Sequence, residues 1–167
     1  MERTGKAKEH YDRSQEFEKQ KNAAGYKKAL AGYNEVIKLL PNDSESYNNR
    51  ARCYLSSKQL EKALDDHNRA ISLDPMNYEF YLWRSITYNA LGKMKEAKAD
   101  IEKAAELNSE YADRSYFIFA DSIYHYTKNR KEAAEYYKKV VKLGGLIWGQ
   151  QAQQILDAWG MRKETKK

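Results

Sequence analysis

The stretch KALDDHNRAISLDP (62–75) decides the fold. Its apolar and small residues recur at intervals of three and four, the stripe of an amphipathic helix. Asp74-Pro75 ends that helix, because proline has no amide hydrogen to continue the ladder and biases its predecessor away from helical angles. Just before it, SESYNNRARCYL (44–55) carries a second helical pattern, and the turn SSKQ (56–59) between them is short enough to join only antiparallel neighbours. The pair then recurs. NYEFYLWRSITYNAL (77–91) follows with Tyr81, Ser85 and Tyr88 in the places of Tyr47, Ala51 and Tyr54, and GKMK (92–95) is the next short turn.

Pro41 and Pro75 stand 34 residues apart, and the same step links Ala29, Ala63 and Ala97, with a step of 36 reaching Ala133. Val36, Ala70, Ala104 and Val140 form a second ladder, and Leu39, Leu73, Leu107 and Leu143 a third. A period of this length is the mark of a stacked repeat. The small residues Ala51, Ala63, Ser85 and Ala97 let paired helices approach closely.

These residues resemble the tetratricopeptide repeat, whose period is 34 and whose pattern runs W-x2-L-G-x2-Y, then A-x3-F, then P. In the second unit Tyr47, Ala51, Tyr54, Ala63, His67, Ala70 and Pro75 take the Trp, Gly, Tyr, Ala, Phe, small and Pro places. The third offers Tyr81, Ser85, Tyr88, Gly92, Ala97, Ile101 and Ala104, then Ser109 instead of proline. The resemblance implies an all-α fold, a right-handed α-solenoid of about four helix-turn-helix repeats (8–41, 42–75, 76–109, 110–143) in a single domain over 1–160.

The outer units depart from the pattern. In the first, Ala29, Tyr33, Val36 and Pro41 fit, but Ser14 and Phe17 take the small and Tyr places only if the turn KQKNAAG is lengthened by three residues. In the fourth, two extra residues near NSEYAD (108–113) put Phe117, Asp121 and Tyr124 in the Trp, small and Tyr places; one residue of slippage would instead make Ala120 the small one. After Gly144-Gly145, LIWGQQAQQILDAW (146–159) aligns Trp148, Ala152, Ile155 and Trp159 on one stripe. This reads as a capping helix that covers the last repeat, followed by a basic tail, 161–167.

The 167 residues are 41% hydrophobic and 32% charged, with one cysteine, which fits one modest soluble domain rather than a multidomain enzyme or a compact α/β core. A single cysteine leaves no intramolecular disulfide and no thiolate metal cluster, and MERTGKAKEH has no apolar run resembling a signal peptide, so the expected compartment is cytoplasmic. No stretch approaches the length of a membrane-spanning helix, so no membrane insertion is expected. The net charge of +6 is local: residues 1–127 carry 20 charges of each sign, whereas 128–167 carry 10 basic and 4 acidic. Nucleic acid or an anionic surface could use Lys128, Arg130, Lys131, Lys138, Lys139, Lys142 and the tail residues Arg162, Lys163, Lys166 and Lys167. A solvated helix face with a frayed end is the simpler account.

Catalytic residues do not assemble. His10, His67, His125 and Cys53 are scattered, Asp65 and Asp66 are adjacent on a helix and point apart, and no phosphate loop, HExxH, CxxC or GxSxG occurs. His67, in a packing aromatic's place, reads as a satisfied core or boundary histidine, and Cys53 as buried and inert. No enzyme activity, metal or cofactor is expected.

The resemblance implies that the first helix of each pair lines a concave groove. Translating by 34 and then 36 gives the ladders Asn48, Leu82, Ile118; Asn49, Trp83, Phe119; Arg52, Ile86, Ser122; and Leu55, Asn89, His125. Apolar side chains there either pack against each other as the superhelix closes or form an open patch that binds a protein or peptide. YNNRARCYL is similar to the helix with which chaperone-binding members grip a C-terminal carboxylate, and Asn49 matches their clamp asparagine. Glu79 and Trp83 stand where that clamp has lysine and arginine, and Tyr11 and Gln15 replace its first-unit pair, so the clamp is degenerate. The leading expectation is a non-catalytic adaptor or scaffold that binds a peptide or helical segment. Co-chaperone activity, nucleic-acid or anionic-surface binding, and self-association through the C-terminal helix or open ends are the alternatives.

Overall fold

The computed structural model describes residues 3–161, so Arg162, Lys163, Lys166 and Lys167 of the basic tail lie outside the described residues. Among the described residues are nine α-helices and no strand: α1 (Gly5–Lys19), α2 (Ala23–Leu39), α3 (Ser44–Ser56), α4 (Leu60–Leu73), α5 (Tyr78–Ala90), α6 (Met94–Leu107), α7 (Ala112–Thr127), α8 (Arg130–Leu143) and α9 (Trp148–Ala158). A 3-10 turn, Ser109–Tyr111, precedes α7. The helices pack as successive pairs, α1 on α2 through α7 on α8, and each trailing helix also packs on the leading helix of the next pair.

Local chemistry places the helix ends. The side chains of Asn22, Asp43, Asn77 and Asn129 accept from the first-turn amides of α2, α3, α5 and α9's predecessor α8, satisfying donors that have no intrahelical partner. In the turn between the two helices of each pair, one position takes a left-handed backbone: Lys21, Lys58, Gly92 and Lys128, with φ of 49°, 58°, 73° and 57°. Glycine adopts this region without a steric penalty, whereas the three lysines hold it against their own Cβ atoms.

The core follows the small-residue ladders. Ala29, Ala63, Ala97 and Ala133 are fully buried on the trailing helices, as are Val36, Ala70, Ala104 and Val140. Leu39 and Leu143 are exposed and Leu73 and Leu107 half-buried, so the leucine ladder is a rim and not core. In the first pair Ser14 is buried at the crossing of α1 and α2, where a Cβ on Gly32 would collide with its Oγ. The three extra residues there add a helical turn to the start of α2, which has 17 residues against 14 in α4, α6 and α8.

The fourth pair corrects the expected register. Ala120 is fully buried, like Ala51 and Ser85, while Asp121 is exposed and accepts from the Tyr137 hydroxyl. The leading helices therefore match at a step of 35, and the trailing helices at 36. One extra residue lies before α7, beside the 3-10 turn, and the other lengthens α7 at its end. Both were expected near 108–113.

α9 lies across α8 and α7. Its Trp148 ring centroid is 5.0 Å from that of Phe117, and the Trp159 ring is 5.0 Å from Tyr124 and 5.6 Å from Tyr137. Ala152 and Leu156 are buried between them, and Ile155 is half-buried.

Candidate functional site

The leading helices α1, α3, α5 and α7 meet along one face of the stack, and a chain of polar contacts crosses it. Asn49 donates its amide to the Tyr11 hydroxyl at 2.8 Å, and that hydroxyl donates to Glu45 at 3.2 Å. Arg3 covers the Tyr11 ring at 3.6 Å and pairs with Asp43 and Glu45. Burial pushes the Tyr11 phenol up to about 12, so it stays a donor at neutral pH.

Arg52 of α3 links three repeats. It donates to Asn49 at 3.2 Å, pairs with Glu18 of α1 at 2.8 Å, and lies over the Trp83 ring of α5 with its guanidinium carbon 4.5 Å from the centroid. Glu18 also accepts from the Tyr33 hydroxyl at 3.1 Å. Further along, Asn89 of α5 donates to Ser122 of α7 at 2.6 Å.

The expected groove residues divide by access. Arg52, Trp83 and Ile118 are partly exposed and His125 is exposed, whereas Asn48, Asn49, Leu82, Ile86, Asn89, Phe119 and Ser122 are buried. Phe119 is therefore corrected from an open groove anchor to core, for a geometric reason: at the true step of 35 it stands in the place of Arg84, not of Trp83. There it meets Tyr136 edge-on at 4.7 Å. Ile118 is the residue that follows Asn49 and Trp83. Leu82 and Ile86 belong to the continuous hydrophobic core and do not form an open patch.

His67 and Cys53 are fully buried beneath this face. Burial holds the Cys53 thiol up at about 12, with Glu18 adding to the effect, so it stays protonated and unreactive. His67 is fully buried, but neither ring nitrogen has a hydrogen-bond partner, so it is not the satisfied histidine that was expected. Burial, then the charges of Arg84 and Arg52, lower its pKa to about 3. Among the described residues no group of histidine, cysteine and acidic side chains is placed to hold a metal ion.

A feature not foreseen from the sequence extends the face at its turn end. Tyr26, Leu55, Leu60, Ala90, His125 and Tyr126, with Ser56 and Lys58, line a cup of about 490 Å³. Ser56, Ala90 and His125 follow the steps of 34 and 35, but Tyr26 comes from a trailing helix, outside that ladder.

Paired antiparallel helices, a fixed small-residue crossing in each pair and a face lined by leading helices define a helical-repeat binding scaffold. Tetratricopeptide repeat patterns match residues 44–77, 78–111 and 113–143, and the chain belongs to that family. The last two matches begin 35 residues apart, in agreement with the register of α5 and α7. No curated protein sequence matches the chain. Among solved structures it is similar to the MamA protein, at TM-score 0.66 and 19% identity over 95% of this chain and 85% of that one, a likeness of fold alone. It is similar also to the TPR domain of Arabidopsis OM64 (TM-score 0.61, 25% identity, 83% and 98% covered). A third is the first TPR domain of Spaghetti (RPAP3) bound to the HSP90 peptide SRMEEVD (TM-score 0.59, 25% identity, 82% and 91% covered).

Proposed function

We propose that the protein is a non-catalytic cytoplasmic adaptor that holds a segment of another protein against its leading-helix face. The observation that carries this reading is the half-exposed Trp83, with the Arg52 guanidinium over its ring, and the half-exposed Ile118 at the equivalent position of α7. A preorganised aromatic next to aliphatic surface is the usual form of an interface anchor. The cup at Tyr26 and Tyr126 would take a second apolar side chain of the same segment. Peptide binding by the Spaghetti domain supports the class of ligand.

A clamped C-terminal carboxylate fits this face poorly. Asn49 is already engaged on both sides by Tyr11 and Arg52, and Glu79 would repel an anionic chain end. The segment we favour therefore crosses the face without ending on it.

A photo-crosslinking amino acid at position 118, compared with one at position 106 on a trailing helix, tests the reading in cells. A discrete protein adduct from position 118, lost when Trp83→Ala is added and not formed from position 106, is the expected result. Identical adducts from both positions, or adducts indifferent to Trp83→Ala in a folded variant, would show that the face is idle. Purified protein should also fail to bind SRMEEVD saturably; tight binding would restore the carboxylate clamp.

A further inference from the structure

The turn between α8 and α9 exposes three large aliphatic residues together: Leu143 at 53%, Leu146 at 82% and Ile147 at 65%. Trp148, the next residue, is half-buried on Phe117 and fixes the base of the turn. Lys131, Lys138 and Lys142 are exposed along one face of α8 that leads to this tip, spaced seven and four residues apart. Glu135 lies on the same face, and Glu110 and Asp113 line a hollow of about 320 Å³ beside the turn together with Arg114. Glu132 is drawn away to Lys98 at 2.7 Å. Lys131, Lys138, Lys142 and Arg114 against Glu135, Glu110 and Asp113 leave a net charge of +1, with the positive charge on the α8 strip.

From this arrangement we infer that the α8–α9 turn is a peripheral docking tip for an anionic lipid bilayer. Leu146 and Ile147 enter the boundary between headgroups and acyl chains, and Lys138 and Lys142 rest on the negative surface. The shape selects this occupant. A stable protein interface covers about 800 Å² per partner with a matched surface, whereas a few exposed side chains on a turn make a much smaller contact that a fluid bilayer accommodates. The lysines select the lipid charge. Among the described residues no helix is long and apolar enough to cross a membrane. The inference is independent of the leading-helix face, which lies on other residues.

Cosedimentation of the full chain with phosphatidylserine–phosphatidylcholine vesicles, against pure phosphatidylcholine vesicles, tests it. The wild type should partition to the anionic vesicles and release them at high salt. Leu146→Ser/Ile147→Ser should lower partitioning about tenfold or more, and Lys138→Gln/Lys142→Gln about fivefold per lysine. Both pairs are exposed, so unchanged circular dichroism and thermal unfolding establish that each variant folds. Quenching of tryptophan fluorescence by lipids brominated in the acyl chain, through Trp148 next to Ile147, should accompany binding and persist in Trp83→Ala. Trp83→Ala should leave partitioning intact, so failure of the adaptor reading and failure of this one are separable. The proposal is overturned by equal partitioning to both vesicle types. It is overturned too if Leu146→Ser/Ile147→Ser still binds like wild type, the behaviour of a general polyanion site that nucleic acid would share. A fall from dimer to monomer in that variant without loss of vesicle binding would assign the tip to self-association instead.

Discussion

His67 occupies the place that Tyr33, Ile101 and Tyr137 take in the other repeats. Tyr33 reaches Glu18 and Tyr137 reaches Asp121 through their hydroxyls, and Ile101 needs no partner. The imidazole has two polar atoms, and no protein group hydrogen-bonds either. With its folded pKa lowered to about 3 from an ordinary 6.5, the unfolded chain takes up a proton that the folded chain refuses. Its stability contribution is therefore greatest above about pH 6.5 and falls by up to about 1.4 kcal/mol per pH unit as the pH drops toward 3. His67→Leu should remove that dependence and, by deleting an unsatisfied buried group, stabilise the neutral protein by about 1–3 kcal/mol. Urea unfolding of both proteins at neutral pH and near pH 5 reads the difference; parallel pH dependences would mean that other groups set the acid sensitivity. The repeat pattern marked this position as a packing one. What it could not show is that Arg52 of α3 and Arg84 of α5 act on His67 while no side chain hydrogen-bonds its ring.

At the level of the helix pair, Arg50 and Arg84 do the same work in successive repeats. Arg50 grips Asp66 through two bonds of 2.7 Å and reaches back to Asn34 of the preceding pair; Arg84 grips Asp100 at 2.7 and 2.8 Å and reaches back to Asn68. Each arginine thus ties its own pair together and ties it to the pair before. In the fourth repeat the corresponding residues are Phe119 and Tyr136, and an edge-on aromatic contact replaces the ion pair. Arg50→Ala strands Asp66 in the interior and should cost about 3–5 kcal/mol, whereas Arg50→Met with Asp66→Leu should cost far less, because desolvation offsets much of what a buried pair gains. Chemical denaturation of the two variants decides between this and a surface pair, for which both losses would stay below about 1 kcal/mol. The trailing-helix ladders were legible because alanine and valine recur wherever two helices cross. The Arg–Asp ties were not, since charged residues on a helix read as solvated until the facing helix is in place. The groove ladder failed at Phe119 for a related reason: two added residues with no landmark between them can be divided in several ways, and shifting one residue along a helix turns a side chain by roughly 100°.

A stack of repeats is stable only if its ends are closed, and the C-terminal end here closes on aromatic surface. Phe117, Tyr124 and Tyr137 belong to the last pair, and Trp148 and Trp159 of the closing segment cover them, with Ala152 and Leu156 buried between. In a linear array each pair draws its stability from its neighbours, so the loss of an end element acts first on the pair beside it. A chain ended after Gly144 would expose those rings, and removing two indoles and a leucine from contact should cost at least about 3 kcal/mol. The loss should be graded along the molecule. Amide hydrogen exchange should accelerate most in α7 and α8, less in α5 and α6, and least in α3 and α4, which pack on each other, on α2 and on α5. A uniform loss of protection would mean that the repeats unfold as one block and α9 is an ordinary part of the core. Unchanged protection in α8 would mean that α9 merely rests on a surface that is complete without it. The graded outcome alone gives α9 the role of a cap, and it would make the stability of the leading-helix face around Trp83 depend on a helix that does not touch it.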